Sequence, residues 1–174
     1  MTDAAALSLA EARATRDAPA RLARAALLTG VTDGLFSSIL VTAFYHSTVT
    51  RLWQGVASTL LGTAALEGGT RTAAIGLLMH FGVALGWSTV FLLLHDRWAW
   101  LRARVRAPGG VLAVAAVFGP LVWLTMSLVV IPLLVHRPPN INGRWLVQLV
   151  GHFPFVGLPI VAMIGGARRA RRAR

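Results

Sequence analysis

The chain has no cysteine, no lysine, one tyrosine and only six acidic residues. Without cysteine there is no disulfide, no thiolate metal site and no cysteine nucleophile, and the redox compartment is left open. Without lysine all 17 basic residues are arginine, and against six acids they leave a net charge of +11. In a soluble protein that charge points to nucleic acid. Here the arginines sit between long apolar runs, which points to lipid headgroups and membrane threading, with no nucleic-acid partner. Also absent are a Walker loop, GxSxG, HExxH, the kinase motifs and a dinucleotide fingerprint, so no enzyme chemistry is expected. What fills the chain is apolar: 56% of its 174 residues are hydrophobic and the mean hydropathy is +0.66. A soluble domain of that composition has too little polar surface to cover itself.

Four runs are long enough to cross a hydrocarbon core ~30 Å thick, which takes ~20 helical residues. They cover residues 25–46, 72–94, 111–135 and 146–166, and they predict an all-α, polytopic membrane protein with four transmembrane helices. Residues 1–24 read as a cytoplasmic lead-in, neither a mitochondrial presequence nor a secretory signal. Within it, Asp17 before Ala18-Pro19 predicts a helix start. Residues 51–66 are apolar but short for a span. Arginine counting decides their placement. With four spans, the N-terminal segment, the 95–110 loop and the 167–174 tail share one side and carry four, four and five arginines, thirteen in all, against four on the other side. That asymmetry satisfies the positive-inside rule with both termini cytoplasmic. A fifth span would export two of the basic clusters, so 51–66 is expected as an interfacial or re-entrant helix on the outer side, with Trp53 at headgroup level. Glu67 and Arg71, four apart, are expected to pair there. Trp98 and Trp100 read as interface anchors, and the tail, ARRARRAR, is expected on anionic headgroups. Pro120, Pro132, Pro154 and Pro159 are expected to kink the last two spans.

Small residues give the helix-packing expectations. Gly30 and Gly34 form one close-approach face, and Gly82 and Gly86 form GxxxG on the second span. Gly76, Ala84 and Ser88 share the opposite face of that span with His80. His80 is the span's only ionisable side chain. It lies eight residues past Thr72, ~12 Å deep at the helical rise, and His152 lies six past Leu146, ~9 Å deep. Asp33, nine residues above Arg24, falls ~13–14 Å from the inner face, only a few Å below the histidines. Gln148 is one turn above His152. Asp33, His80, Gln148 and His152 are therefore the candidate polar cluster. His46, His95 and His136 are expected to be solvated, and Trp87 and Trp123 to be packing residues.

Three readings of the cluster stand. Buried polar groups are mostly structural, each interhelical bond worth ~0.6 kcal/mol on average. Intramembrane acids and histidines also form proton or solute paths. Two histidines at one depth on facing helices can, thirdly, ligate haem b. A zinc site needs a third ligand, for which Asp33 is the only candidate, and no metal is assigned. The corresponding functions are a small transport-related or proton-responsive membrane protein, a non-catalytic accessory or scaffold subunit binding another membrane protein or a second copy through its GxxxG face, and a haem-carrying redox subunit. Outside the third, no cofactor is expected.

Pro132-Leu133, Pro138-Pro139, Gly151-His152 and Arg168-Arg169 follow one another through the C-terminal third, and Arg-Leu-Trp-Gln-Gly stands at 51–55. In these motifs the chain resembles the YagU family of bacterial inner-membrane proteins, small multi-span proteins without a settled activity. The resemblance implies a bacterial inner-membrane location and carries no catalytic residue.

Overall fold

Each of the four apolar runs becomes a helix longer than the bilayer requires. The computed structural model describes the backbone of residues 3–166 and the side chains of residues 17–166. The expected lipid contact of the 167–174 tail, and the side chains of Arg13 and Arg16, lie outside the described residues. Helix α1 (Asp3–Ile39) is prolonged by a π turn, Leu40–Phe44. After α2 (Val49–Leu61) and a 3-10 turn, Thr63–Glu67, comes α3 (Gly69–Arg97). A short α4 (Ala99–Arg106) leads into α5 (Gly110–Val135), and α6 (Gly143–Gly166) closes the bundle. Among the described residues there is no strand, and four helices are long and apolar enough to cross a membrane: Asp17–Phe44, Gly69–Arg97, Gly110–Val135 and Gly143–Gly166. Large side chains such as Leu78, Val117 and Val150 stand on the outside of the bundle. An apolar exterior of that extent matches lipid, not water. The chain is an all-α integral membrane protein.

The core lies toward the end of the bundle that carries the termini. Phe91 of α3, Phe118 and Val122 of α5, and Val156, Ile160 and Ile164 of α6 pack there with Ala25 of α1. Phe91 and Phe118 meet edge to face at 4.9 Å, an arrangement worth ~0.5–1.5 kcal/mol beyond area burial. The α5–α6 crossing depends on Gly119, where a Cβ would meet the backbone of His152 and Gly157. This crossing fixes the backbone that carries His152.

Proline sets the shape of α6. Pro159 has no N–H to offer the Phe155 carbonyl one turn back. The helix widens to a π turn at Phe153–Gly157, and the hydroxyl of Thr32 lies 2.7 Å from the Phe155 oxygen and 2.8 Å from that of Leu28, sharing one proton between them. A second π turn, Met126–Val130, directly precedes Ile131-Pro132 on α5. The bends expected at Pro132, Pro154 and Pro159 are thus absorbed by widened turns, a common adjustment in membrane helices.

Several sequence expectations are corrected. Asp17 does not begin a helix; α1 runs through it with Pro19 inside. The 51–66 helix is shorter, ending at Leu61 because Gly62 takes φ of 72° and starts the 3-10 turn. Trp53 is not at a headgroup surface but 8% exposed, because α2 docks on α3 at Gly76, where a Cβ would meet the Trp53 backbone carbonyl. Glu67 pairs with Arg51 at 3.7 Å and not with Arg71, since Gly68 and Gly69 separate Glu67 from the helix that holds Arg71. Arg51 also donates to the Leu66 carbonyl at 2.7 Å. His95 is 2% exposed, against the expectation of solvation. The cause is α4, whose buried Leu101 and Val105 turn the 95–110 loop back over the end of α3. There Arg102 donates to the carbonyls of His95 and Asp96, capping α3, while Arg21 lies 3.5 Å from the Asp96 carboxylate.

Gly82 and Gly86 pack against nothing within the chain; a Cβ at either would meet no heavy atom within 4 Å. The face of α3 that enters the bundle is the one carrying buried Gly76, Ala84 and Ser88.

Candidate functional site

Two stripes of polar side chains face each other across the half of the bundle away from the termini. On α1, Thr29, Asp33 and Ser37 recur every four residues and so share one face. On α6, Gln148, His152 and Val156 do the same. His80 comes in from α3. These residues line one cavity of about 300 Å³, walled on its other sides by apolar and aromatic groups, including Trp53 of α2, Trp87 of α3 and Trp123 of α5. All four residues of the expected polar cluster, Asp33, His80, Gln148 and His152, border this space.

Hydrogen bonding fixes the ring states. His80 Nε2 lies 2.9 Å from the Gly30 carbonyl oxygen, which can only accept, so Nε2 carries a proton and donates it. The other nitrogen, Nδ1, lies 3.9 Å from Asp33 Oδ2. A carboxylate offers only lone pairs, and so does the Nδ1 of a neutral ring already protonated at Nε2. At 3.9 Å the two are too far apart for a hydrogen bond and close enough to attract as ions when the ring carries a second proton. In that state the pair carries no net charge, which lowers the cost of holding an acid among apolar helices. On α6, His152 Nδ1 donates to the Gln148 carbonyl one turn back at 2.8 Å, which leaves Nε2 as the accepting nitrogen. The indole of Trp123 lies against this ring, centroids 4.9 Å apart.

Gly34 lies against Trp53 and His80 Nε2, which a Cβ there would meet at 3.4 and 3.5 Å, ordinary packing contact. Gly30 brings α1 against the ring of Phe81 and supplies the carbonyl that holds His80. Trp53 covers His80 from α2, ring centroids 5.0 Å apart.

The packing around the cavity holds several polar atoms without a partner. Thr29 Oγ1, Asp33 Oδ1, Trp123 Nε1 and Gln148 Oε1 are buried and make no hydrogen bond. Gln148 uses only its amide nitrogen, donating weakly to Ser37 Oγ at 3.4 Å. Buried unpartnered polar groups are rare, and four around one space is a strong local departure from that rule. A smaller hollow of about 200 Å³ under the Pro138–Asn140 loop shares Trp123 and Ile131 as a common wall.

Nothing in this geometry supports the haem b alternative, since His80 Nε2 is taken by the Gly30 carbonyl. Among the described residues no group of three or more His, Cys, Asp or Glu is arranged to hold a metal ion. Sequence reading missed Thr29, Ser37, Trp53 and Trp123 as site residues. The four-residue spacing of Thr29, Asp33 and Ser37 was a usable signal; the placement of Trp53 depended on how α2 docks and had none.

In comparisons with protein-family models, curated proteins and solved structures, nothing matched this chain.

Proposed function

We propose that this protein is a small transport-related or proton-responsive protein of the bacterial inner membrane, with both termini cytoplasmic, working through Asp33, His80, Gln148 and His152. One observation carries the reading: an acid and a histidine from different helices meet at 3.9 Å beside a cavity at bilayer depth. A purely structural pair would be expected in a filled, fully bonded interface. This pair borders a space of about 300 Å³, and four polar atoms of the residues around it are buried without a bond. Thirteen arginines on the terminal side against four on the other support the orientation. The local motifs shared with the YagU family support the choice of membrane and are part of the same proposal. The test is pH-driven flux in vesicles reconstituted with the purified chain. His80→Ala is expected to abolish its pH dependence, and flux unchanged in that variant would count against the reading.

A second reading, that of an accessory or scaffold subunit, has its own observation. Gly82 and Gly86 lie on an exposed face of α3 with no neighbour in the chain, leaving GxxxG open to another membrane helix or a second copy. Replacing both by Leu is expected to remove such an association, measured as the size of the complex in mild detergent.

A further inference from the structure

The Asp33–His80 pair uses only one carboxylate oxygen. Oδ2 faces His80, and Oδ1 is buried without a partner. Oδ2 is therefore the oxygen a ligand can reach. His152 adds an accepting Nε2, since its Nδ1 is donating to Gln148. The cavity therefore presents two acceptors, one of them a carboxylate. Around them stand three indoles, Trp53, Trp87 and Trp123. Indole faces attract cations, most strongly where water is excluded.

We infer that the cavity binds a small organic monocation, an ammonium group on an apolar or single-ring body, which takes the place of a proton on His80 as the partner of Asp33. The ammonium N–H groups take Asp33 Oδ2 and His152 Nε2 beside the indole of Trp123, which lies against His152, and the apolar body lies against Trp53 and Trp87. The exchange balances in charge. Before binding, His80 carries its second proton and the pair is neutral overall. On binding, the ammonium stands beside the carboxylate and that proton leaves to water. His80 stays as the neutral ring with Nε2–H on Gly30. No net charge is added at bilayer depth, where an unpaired charge is costly. His152 on α6 is the one other titratable group lining the cavity; α2 and α5 contribute none to its wall. A volume of about 300 Å³ sits at the lower limit of ligand pockets, which suits a body of one ring.

This inference rests on reading the cluster as a proton-responsive site, and the experiment separates the two. The purified full chain in detergent is titrated near neutral pH with 2-phenylethylamine, and separately with its neutral counterpart 3-phenyl-1-propanol. Tryptophan fluorescence reports binding, and a pH indicator in weak buffer reports released protons. The expected result is saturable amine binding with close to one proton released per amine. The alcohol binds at least about tenfold more weakly, and Asp33→Asn loses at least about tenfold in amine affinity. Equal affinity for amine and alcohol, amine binding without proton release, or an unaltered Asp33→Asn variant would overturn the inference. If Asp33→Asn fails to fold, Trp123→Leu decides in its place: it is expected to weaken the amine more than the alcohol, and an equal loss for both would overturn the cation assignment. A ligand-free acid titration of the same fluorescence, lost in His80→Ala, isolates the underlying reading. If that transition is present and the amine does not bind, the inference alone falls; if the transition is absent, the proton-responsive reading falls with it.

Discussion

Gly76 is where α2 is held to α3, and a single methyl group there tests the packing that sets Trp53 at the cavity wall. A Cβ at Gly76 would meet the Trp53 carbonyl oxygen and come within 3.0 Å of the Ala57 nitrogen, both backbone atoms that cannot swing aside. The two helices would have to separate by on the order of 1 Å, and overpacking of this kind costs ~1–3 kcal/mol. Alanine returns ~0.5–1 kcal/mol through its better helix propensity. Gly76→Ala is therefore expected to destabilise by roughly 1–2 kcal/mol. At about 2–4 °C per kcal/mol for a chain of this size, the unfolding midpoint falls by roughly 2–8 °C. Gly82 is the internal control. It lies on the same helix with no heavy atom within 4 Å of a built Cβ, so Gly82→Ala carries only the propensity gain. Thermal unfolding in detergent, followed by circular dichroism, compares the two variants. Separation of α2 also moves Trp53 off His80, whose rings are 5.0 Å apart, so the tryptophan fluorescence of folded Gly76→Ala should change and that of Gly82→Ala should not. Equal midpoints for both variants would refute the docking of α2 at Gly76.

Other perturbations follow from single contacts. Thr32→Val removes the hydroxyl from the Phe155 carbonyl that Pro159 leaves open; a loss of about 0.5–2 kcal/mol is expected in thermal unfolding, recovered by Thr32→Ser, and no recovery by serine would contradict the hydrogen-bond account. Trp145→Phe loses the 3.0 Å bond from indole Nε1 to Ser127 Oγ, with an expected cost of ~0.6 kcal/mol and a loosened 136–142 loop measured by proteolysis; an unchanged cleavage rate would argue against it. Diethylpyrocarbonate should modify His46 and His136 readily and His95 last, because α4 covers the latter; rapid modification of His95 in the folded chain would contradict that cover. A reporter fused after Arg174 is expected on the cytoplasmic side, and a periplasmic signal would overturn the arginine-based threading.

The spans were legible because hydropathy and length alone decide whether a helix can cross a bilayer. The closeness of Asp33 and His80 was legible for a related reason: helical rise converts residue number directly into height. That arithmetic put Asp33 and His80 within side-chain reach, and they lie 3.9 Å apart. What it could not supply was rotation. Gly82 and Gly86 have the same spacing as packing glycines elsewhere, yet they face away from the other helices, because Gly76, Ala84 and Ser88 form the face that packs. The setting of Trp53 required knowing that a helix too short to cross still docks into the bundle. The burial of His95 required knowing that α4 folds back. Both depend on how one helix docks on the next, which leaves no periodic trace in either one.

The central claim is that Asp33 and His80 act as one proton-responsive pair at the cavity wall. Nitrogen-15 NMR of the histidine-labelled chain tests it most directly, since the protein has five histidines and a His80→Ala spectrum assigns the relevant one. The account predicts that His80 keeps a protonated Nε2 in every case, bonded to Gly30. It also predicts that Asp33→Asn shifts the Nδ1 resonance to that of a bare accepting nitrogen. Identical His80 resonances in the wild-type and Asp33→Asn proteins would contradict it.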